Sequence, residues 1–237
     1  MTYLEGIDVS EAQGVMKWHL AAPRIKFAMI RAQEGLHHDS QYEANWYNAH
    51  AYGVPCAATH AIAWTVDPIN QADWYAHYTF PYKGEVWPAV DVEWSTAATP
   101  AHAADITYAV LTRIESNLGI TPMIYTSLRY WNAPGFSDPK FERFHLWIAQ
   151  WGVAQPGPLP KPFTHWDFWQ YAVLADPATY GASSSRLDHD RFNGSQEDFD
   201  RLFKVAQAPP AVPPAALTLD ERVANLEEQA RAHGWNL

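Results

Sequence analysis

Short apolar runs recur along the chain and alternate with segments of helical period. Tyr3–Asp8, Phe27–Arg31 and Val54–His60 read as strands. Between the last two, residues 41–52 (QYEANWYNAHAY) predict a helix that stops at Gly53. Asp67-Pro68 opens a second helix, with an N-cap followed by proline at the first helical position, running to Tyr78. Val86–Glu93 is a fourth strand. Thr99-Pro100 starts a third helix, to Leu118, closed by Gly119. Met123–Tyr125 is a fifth strand.

Strands alternating with helices imply parallel strands with helices packed outside them. After Tyr125 the pattern changes. Phe144–Gln150, Trp166–Tyr171 and Arg186–Asp190 are strands joined by segments rich in Pro, Gly and Ser, with no long helix between them. Ser195–Ala206 is a closing helix. The expected fold is therefore α/β: a modified (β/α) barrel of about five βα units completed by three shorter, loop-joined strands, occupying residues 1–205. A doubly wound open sheet is the rival, but no glycine-rich phosphate loop follows the first strand. Residues 206–217 hold four prolines and no charge, which predicts a semi-rigid linker. Beyond it, Leu219, Val223, Leu226 and Ala230 form a narrow apolar seam, predicting a short amphipathic helix over 218–237. That helix either docks or stands free, or it joins two copies as a homo-oligomer.

Composition narrows the partners. With 237 residues and 48% hydrophobic content, the chain can build a sizeable core. A net charge of -10 with only 16 Lys plus Arg argues against nucleic acid or an anionic membrane surface. No apolar stretch is long enough to insert into a membrane. One cysteine, Cys56, excludes an intrachain disulfide framework. The first ten residues carry no basic segment followed by an apolar run, so no signal peptide is expected. The 12 Trp and 12 Tyr suit a Trp-rich core, and some of them suit stacking on sugar faces.

The fourth strand holds the main chemical signal. In Trp87-Pro-Ala-Val-Asp-Val-Glu-Trp94, Asp91 and Glu93 project to one face while Val90 and Val92 face the outer helices. The end of such a strand is where barrels built from βα units carry chemistry. Buried acids without basic partners are costly and tend to persist for a function. The bland alternative is an ion pair with Arg31 or Arg129. Asp8 and Asp188 end the first and last strands, and barrel closure would bring all four acids to one rim. One protonated and one ionised carboxyl is the requirement of glycoside hydrolysis. Like-charge crowding drives their pKa values apart. His60, His102, His145 and His165 lack metal-site spacing, and no metal or cofactor is assigned. Cys56 with His60 would make a nucleophile pair, but a buried structural thiol is the better reading.

Seven segments in order resemble glycoside hydrolase family 25 lysozymes: GIDVSEAQG at 6–14, FAMIRAQEG at 27–35, PAVDVEW at 88–94, PMIYTSLRYW at 122–131, LWIAQWG at 146–152, WDFWQY at 166–171 and LDHDRFNGS at 187–195. The resemblance covers residues 3–205. It implies cleavage of the β-1,4 bond after N-acetylmuramic acid in peptidoglycan. It also implies Glu93 as general acid, Asp91 as stabilising partner, and Asp8 and Asp188 as flanking acids. The substrate-binding positions it suggests are Tyr125, Trp169, Gln170, His60 and Trp64. The third strand, AATHAIAW, departs from the family's usual segment. So does Asp188-His189-Asp190, where the family commonly has Asp-Leu-Asn; Asp188 is taken as the functional acid. The expected setting is endolysin-like: synthesis in the cytoplasm, then action on the cell wall after release. A non-catalytic glycan-binding barrel and a chitinase-like glycosidase are the alternatives.

Overall fold

In the computed structural model, which describes residues 3–79, 87–93, 102–132 and 134–203, eight strands close into a barrel. The elements, in order, are β1 (Leu4–Val9), α1 (Trp18–Ala21), β2 (Phe27–Glu34), β3 (His37–His38), α2 (Tyr42–Ala51), β4 (Cys56–Ala61), α3 (Pro68–Thr79), β5 (Trp87–Asp91), α4 (Ala103–Leu118), β6 (Met123–Ser127), β7 (His145–Ala149), β8 (Phe168–Val173), β9 (Asp188–Phe192) and α5 (Gln196–Phe203). The ring runs β1-β2-β4-β5-β6-β7-β8-β9 and returns to β1; β3 is a short antiparallel flap on β2. The expected onset of the fourth strand at Val86, the helix start at Thr99-Pro100, Trp94, the linker and the 218–237 helix lie outside the described residues.

The first seven strands of the ring pair in parallel, as the alternating pattern predicts. A parallel crossover needs a helix or a similarly long connection. The chain supplies helices as far as β6, and α4 closes on Gly119 in the left-handed region at φ 72°. β8 and β9 are joined without an α-helix, and β9 runs antiparallel to both β8 and β1. It begins at Asp188 and runs on to Phe192, so Asp188 opens the last strand instead of ending it. Because the strand is reversed, its first residue still lies at the rim where Asp8 and Asp91 end theirs.

Alternation divides the side chains into two cores. Outward residues such as Ile7, Ile30, Ala58, Val90, Val92 and Ile124 pack under the helices with Trp18, Trp46, Tyr75 and Leu111. Inward residues Phe27, Met29, Ala57, Trp87, Met123, Trp147, Phe168 and Phe192 fill the lower barrel. Phe199 and Phe203 of α5 close it from below. Gly6 is required by this filling, since a Cβ there would run into the Phe27 ring. The apolar plug leaves the opposite mouth of the barrel to polar groups.

Candidate active site

Three strands deliver four acids to that mouth. Asp8 on β1 and Asp188 on β9 are direct cross-strand partners. Asp91, the last residue of β5, lies between Ala61 of β4 and Tyr125 of β6. Glu93 follows two residues later, and Trp64 donates its indole N–H to the Glu93 carbonyl at 2.6 Å. The four carboxyls are close enough to repel one another. Asp8 feels Asp188 and Glu93, Asp91 feels Glu93 and Asp8, and Glu93 feels Asp188. Val90 and Val92 are fully buried on the other side, as the alternation predicts.

Burial is the largest influence on every one of these acids, and it raises each pKa because a charge is costly away from water. Asp8 is pushed up to about 7, with Asp188 adding to the effect and the Gln170 amide opposing it. Asp91 is raised well above the usual carboxylate range by burial, then by Glu93 and Asp8. Glu93 is raised by burial and by Asp188, against a lowering influence from Arg129. Asp188 is raised by burial, with Arg186 opposing. No ion pair neutralises Asp91 or Glu93 among the described residues. Arg31 instead binds Asp39 at 2.9 Å, with Glu34 and Glu11 at 3.3 and 3.5 Å. The bland ion-pair reading of the Asp91/Glu93 couple is therefore not what the fold builds.

Polar partners fix Asp8. Gln170, inward on β8 and 3% exposed, donates from Nε2 to Asp8 Oδ2 at 2.9 Å. Tyr125 donates its hydroxyl to Gln170 Oε1 at 3.0 Å, and the Trp151 indole donates to the same oxygen at 3.3 Å. Two donors on Oε1 leave Nε2 pointing at Asp8. Tyr125 and Gln170 thus lie at the mouth, together with Trp64 through its bond to the Glu93 backbone. Trp151, 47% exposed beside Gln170, was not singled out by the sequence motifs. Its signal was a tryptophan placed directly after a strand, in LWIAQWG.

Two expected binding residues are placed elsewhere. His60 points outward from β4, completely enclosed, with its ring bonded to Gln71 Oε1 of α3 at 3.1 Å and packed on Tyr75. Burial lowers its pKa to about 4, so it stays neutral. Trp169 points outward from β8, 1% exposed, with its indole N–H on the Gln150 carbonyl at 2.7 Å. In both strands the neighbouring residue, Thr59 or Gln170, takes the inward direction. Cys56 also faces the outer core, where burial raises its thiol pKa well above the usual value.

An acid that holds a proton beside others that resist ionisation can protonate a leaving oxygen, and a nearby carboxylate can balance the positive charge left on a sugar. The sequence model of glycosyl hydrolases family 25 matches residues 7–175, from the second half of β1 through β8, and includes Asp8, Asp91 and Glu93. The chain belongs to glycosyl hydrolase family 25. It is a glycoside hydrolase with the modified α/β barrel of that family. A bacterial lysozyme from Streptomyces coelicolor is 26% identical, with a TM-score of 0.76 over 87% of this chain and 98% of that one. A muramidase from Trichobolus zukalii is 22% identical, with a TM-score of 0.72 over 86% and 100%. The catalytic domain of an endolysin from a Listeria monocytogenes bacteriophage is 17% identical, with a TM-score of 0.66 over 85% and 98%. No curated protein matches the chain. In this family 25 hydrolase, the match ends before β9, so Asp188 is placed by the fold and by the register with Asp8.

Proposed function

We propose that the chain is an endolysin-type N-acetylmuramidase. It hydrolyses the β-1,4 bond between N-acetylmuramic acid and N-acetylglucosamine in peptidoglycan. Glu93 is the general acid, giving its proton to the N-acetylglucosamine oxygen as the glycosidic bond breaks. Asp91, deeper on the same strand face, balances the positive charge that develops on the muramic sugar. Asp8 and Asp188 flank the cleavage point, and burial together with Asp188 keeps the proton on Glu93. Tyr125, Gln170 and the exposed Trp151 offer hydroxyl, amide and ring surface to the glycan.

The observation that carries this reading is the convergence of Asp8, Asp91, Glu93 and Asp188 at one mouth, each with its pKa raised by burial. A glycan-binding barrel has no need of such a costly cluster. Mass analysis of digested peptidoglycan tests it: fragments ending in reducing N-acetylmuramic acid are expected. Ends in reducing N-acetylglucosamine, or no new ends, would sink the assignment. The endolysin role is supported by the phage endolysin domain among the similar folds. It is checked by lysis of a producing cell only after its membrane is opened.

A further inference from the structure

Asp190 is a second acid on the inward face of β9, and nothing in the proposed reaction uses it. Its side chain is completely enclosed. It lies opposite Gly6 of β1 and opposite Gln170 of β8. Asp8 lies two residues further along the same inward face of β1, beside the Asp190 carboxyl. Asp190 Oδ1 accepts the Trp147 indole N–H at 2.8 Å. Oδ2 receives no hydrogen bond from any described residue, and the group it meets is the Asp8 carboxyl. Asp8 in turn holds the Gln170 amide and faces Asp188 and Glu93.

Two carboxyls in contact and away from water cannot both be ionised. The surroundings decide which keeps the proton. Asp8 is only partly buried and already accepts an amide N–H. Asp190 is sealed, has a single donor, and presents a bare oxygen to Asp8. We propose that Asp190 is a positioning residue: it stays a carboxylic acid and donates its hydrogen to Asp8, holding that carboxylate in place at the barrel mouth. A relay of donors then runs from Trp147 to Asp190 to Asp8, met from the other side by Tyr125 and Gln170. The titratable groups facing the pair are Asp188 beside it on β9, Asp91 at the end of β5, Glu93 after it and the Tyr125 hydroxyl on β6. Burial also raises the Asp190 pKa well above the usual range, with Asp8 adding to it.

Carboxyl-carbon NMR on the full chain tests the proton's location. Asp190 is expected to remain protonated from about pH 4 to about pH 8 while Asp8 titrates. An ionised Asp190 at neutral pH would overturn the proposal. Kinetics give a second test. Asp190→Asn replaces the O–H donor by an N–H donor, so activity and the acidic limb of its pH profile stay close to those of the unaltered protein. Asp190→Leu keeps the volume and removes the donor. Asp8 and the acidic limb should then move up by about one pH unit, roughly a tenfold loss on the acid side. A folded Asp190→Leu with an unmoved profile, or Asp190→Asn as impaired as Asp190→Leu, would also overturn it. If Asp190→Leu fails to fold, the NMR titration decides alone. The kinetic arm rests on the glycan-cleaving reading of this mouth and the titration does not, so the two failures can be told apart.

Discussion

Asp91 and Glu93 differ by one methylene and by what surrounds them. Asp91 ends β5 with Oδ1 buried and unpartnered among the described residues. Glu93 has left the strand and is tied to the mouth through the Trp64 bond to its carbonyl. Glu93→Gln keeps the shape and removes the transferable proton. Activity should fall about 10²–10⁴-fold with the thermal midpoint preserved, measured by turbidity loss of cell walls and by calorimetry. Because burial and Asp188 raise the Glu93 pKa, the alkaline limb of the activity profile should lie above the ordinary glutamate range. The pairing of these two acids was legible in the sequence, since a period of two needs no partner strand to be read. The roles of Trp169 and Gln170 were not. They are neighbours on one strand, and only its register in the barrel decides that the amide turns inward and the indole outward. Asp190 escaped for the same reason: its approach to Asp8 depends on how β9 pairs with β1, from the far end of the chain.

Among the elements, β9 and α5 fall outside the βα pattern. The change to loop-joined strands after β6 could be read from the sequence. The reversal of β9 could not, because strand direction follows from how the connection crosses the barrel and not from the strand's own residues. α5 presents a one-sided apolar face, and it uses that face as a floor. Phe199 is fully buried, stacked on Phe203 at 4.4 Å and edge-on to Phe192 at 5.3 Å. Phe199→Ala should cost about 3–5 kcal/mol, a thermal midpoint lowered by roughly 10 °C, read by calorimetry. The loss should appear with little change in the pH profile of activity, because the floor and the acids occupy opposite ends of the barrel.

For the molecule as a whole, the acid cluster makes stability depend on pH in a definite direction. Asp8, Asp91, Glu93, Asp188 and Asp190 all hold protons more tightly when folded. For Asp8 the folded value is about 7 against 3.8 for the free side chain. The folded state therefore binds more protons between those values. That contribution is fully present below the free value and is lost as the pH rises through 7. The thermal midpoint should fall on going from acidic to mildly alkaline buffer. Asp8→Asn should raise it by a few degrees near pH 8, where the carboxylate is forced to ionise, and change it little near pH 4. Equal midpoints for the two proteins near pH 8 would contradict this account.

The reversed course of β9 also settles where new sequence can be added. Residues 174–187 leave β8 and enter β9 on the acidic side, and they are stitched to the segment after β1 by Lys17 N–H to the Gly181 carbonyl at 2.9 Å and Ser183 N–H to the Gln13 carbonyl at 3.1 Å. In a uniformly parallel ring this connection would have had to cross to the apolar floor. Here both of its ends stay at the acid-bearing mouth, while its middle packs on α1 and the outer core. Lengthening or shortening it should reshape one wall of the acidic mouth while leaving every barrel rung intact, so on the proposed muramidase reading it is the place to retune glycan preference, checked by comparing digestion of different peptidoglycans.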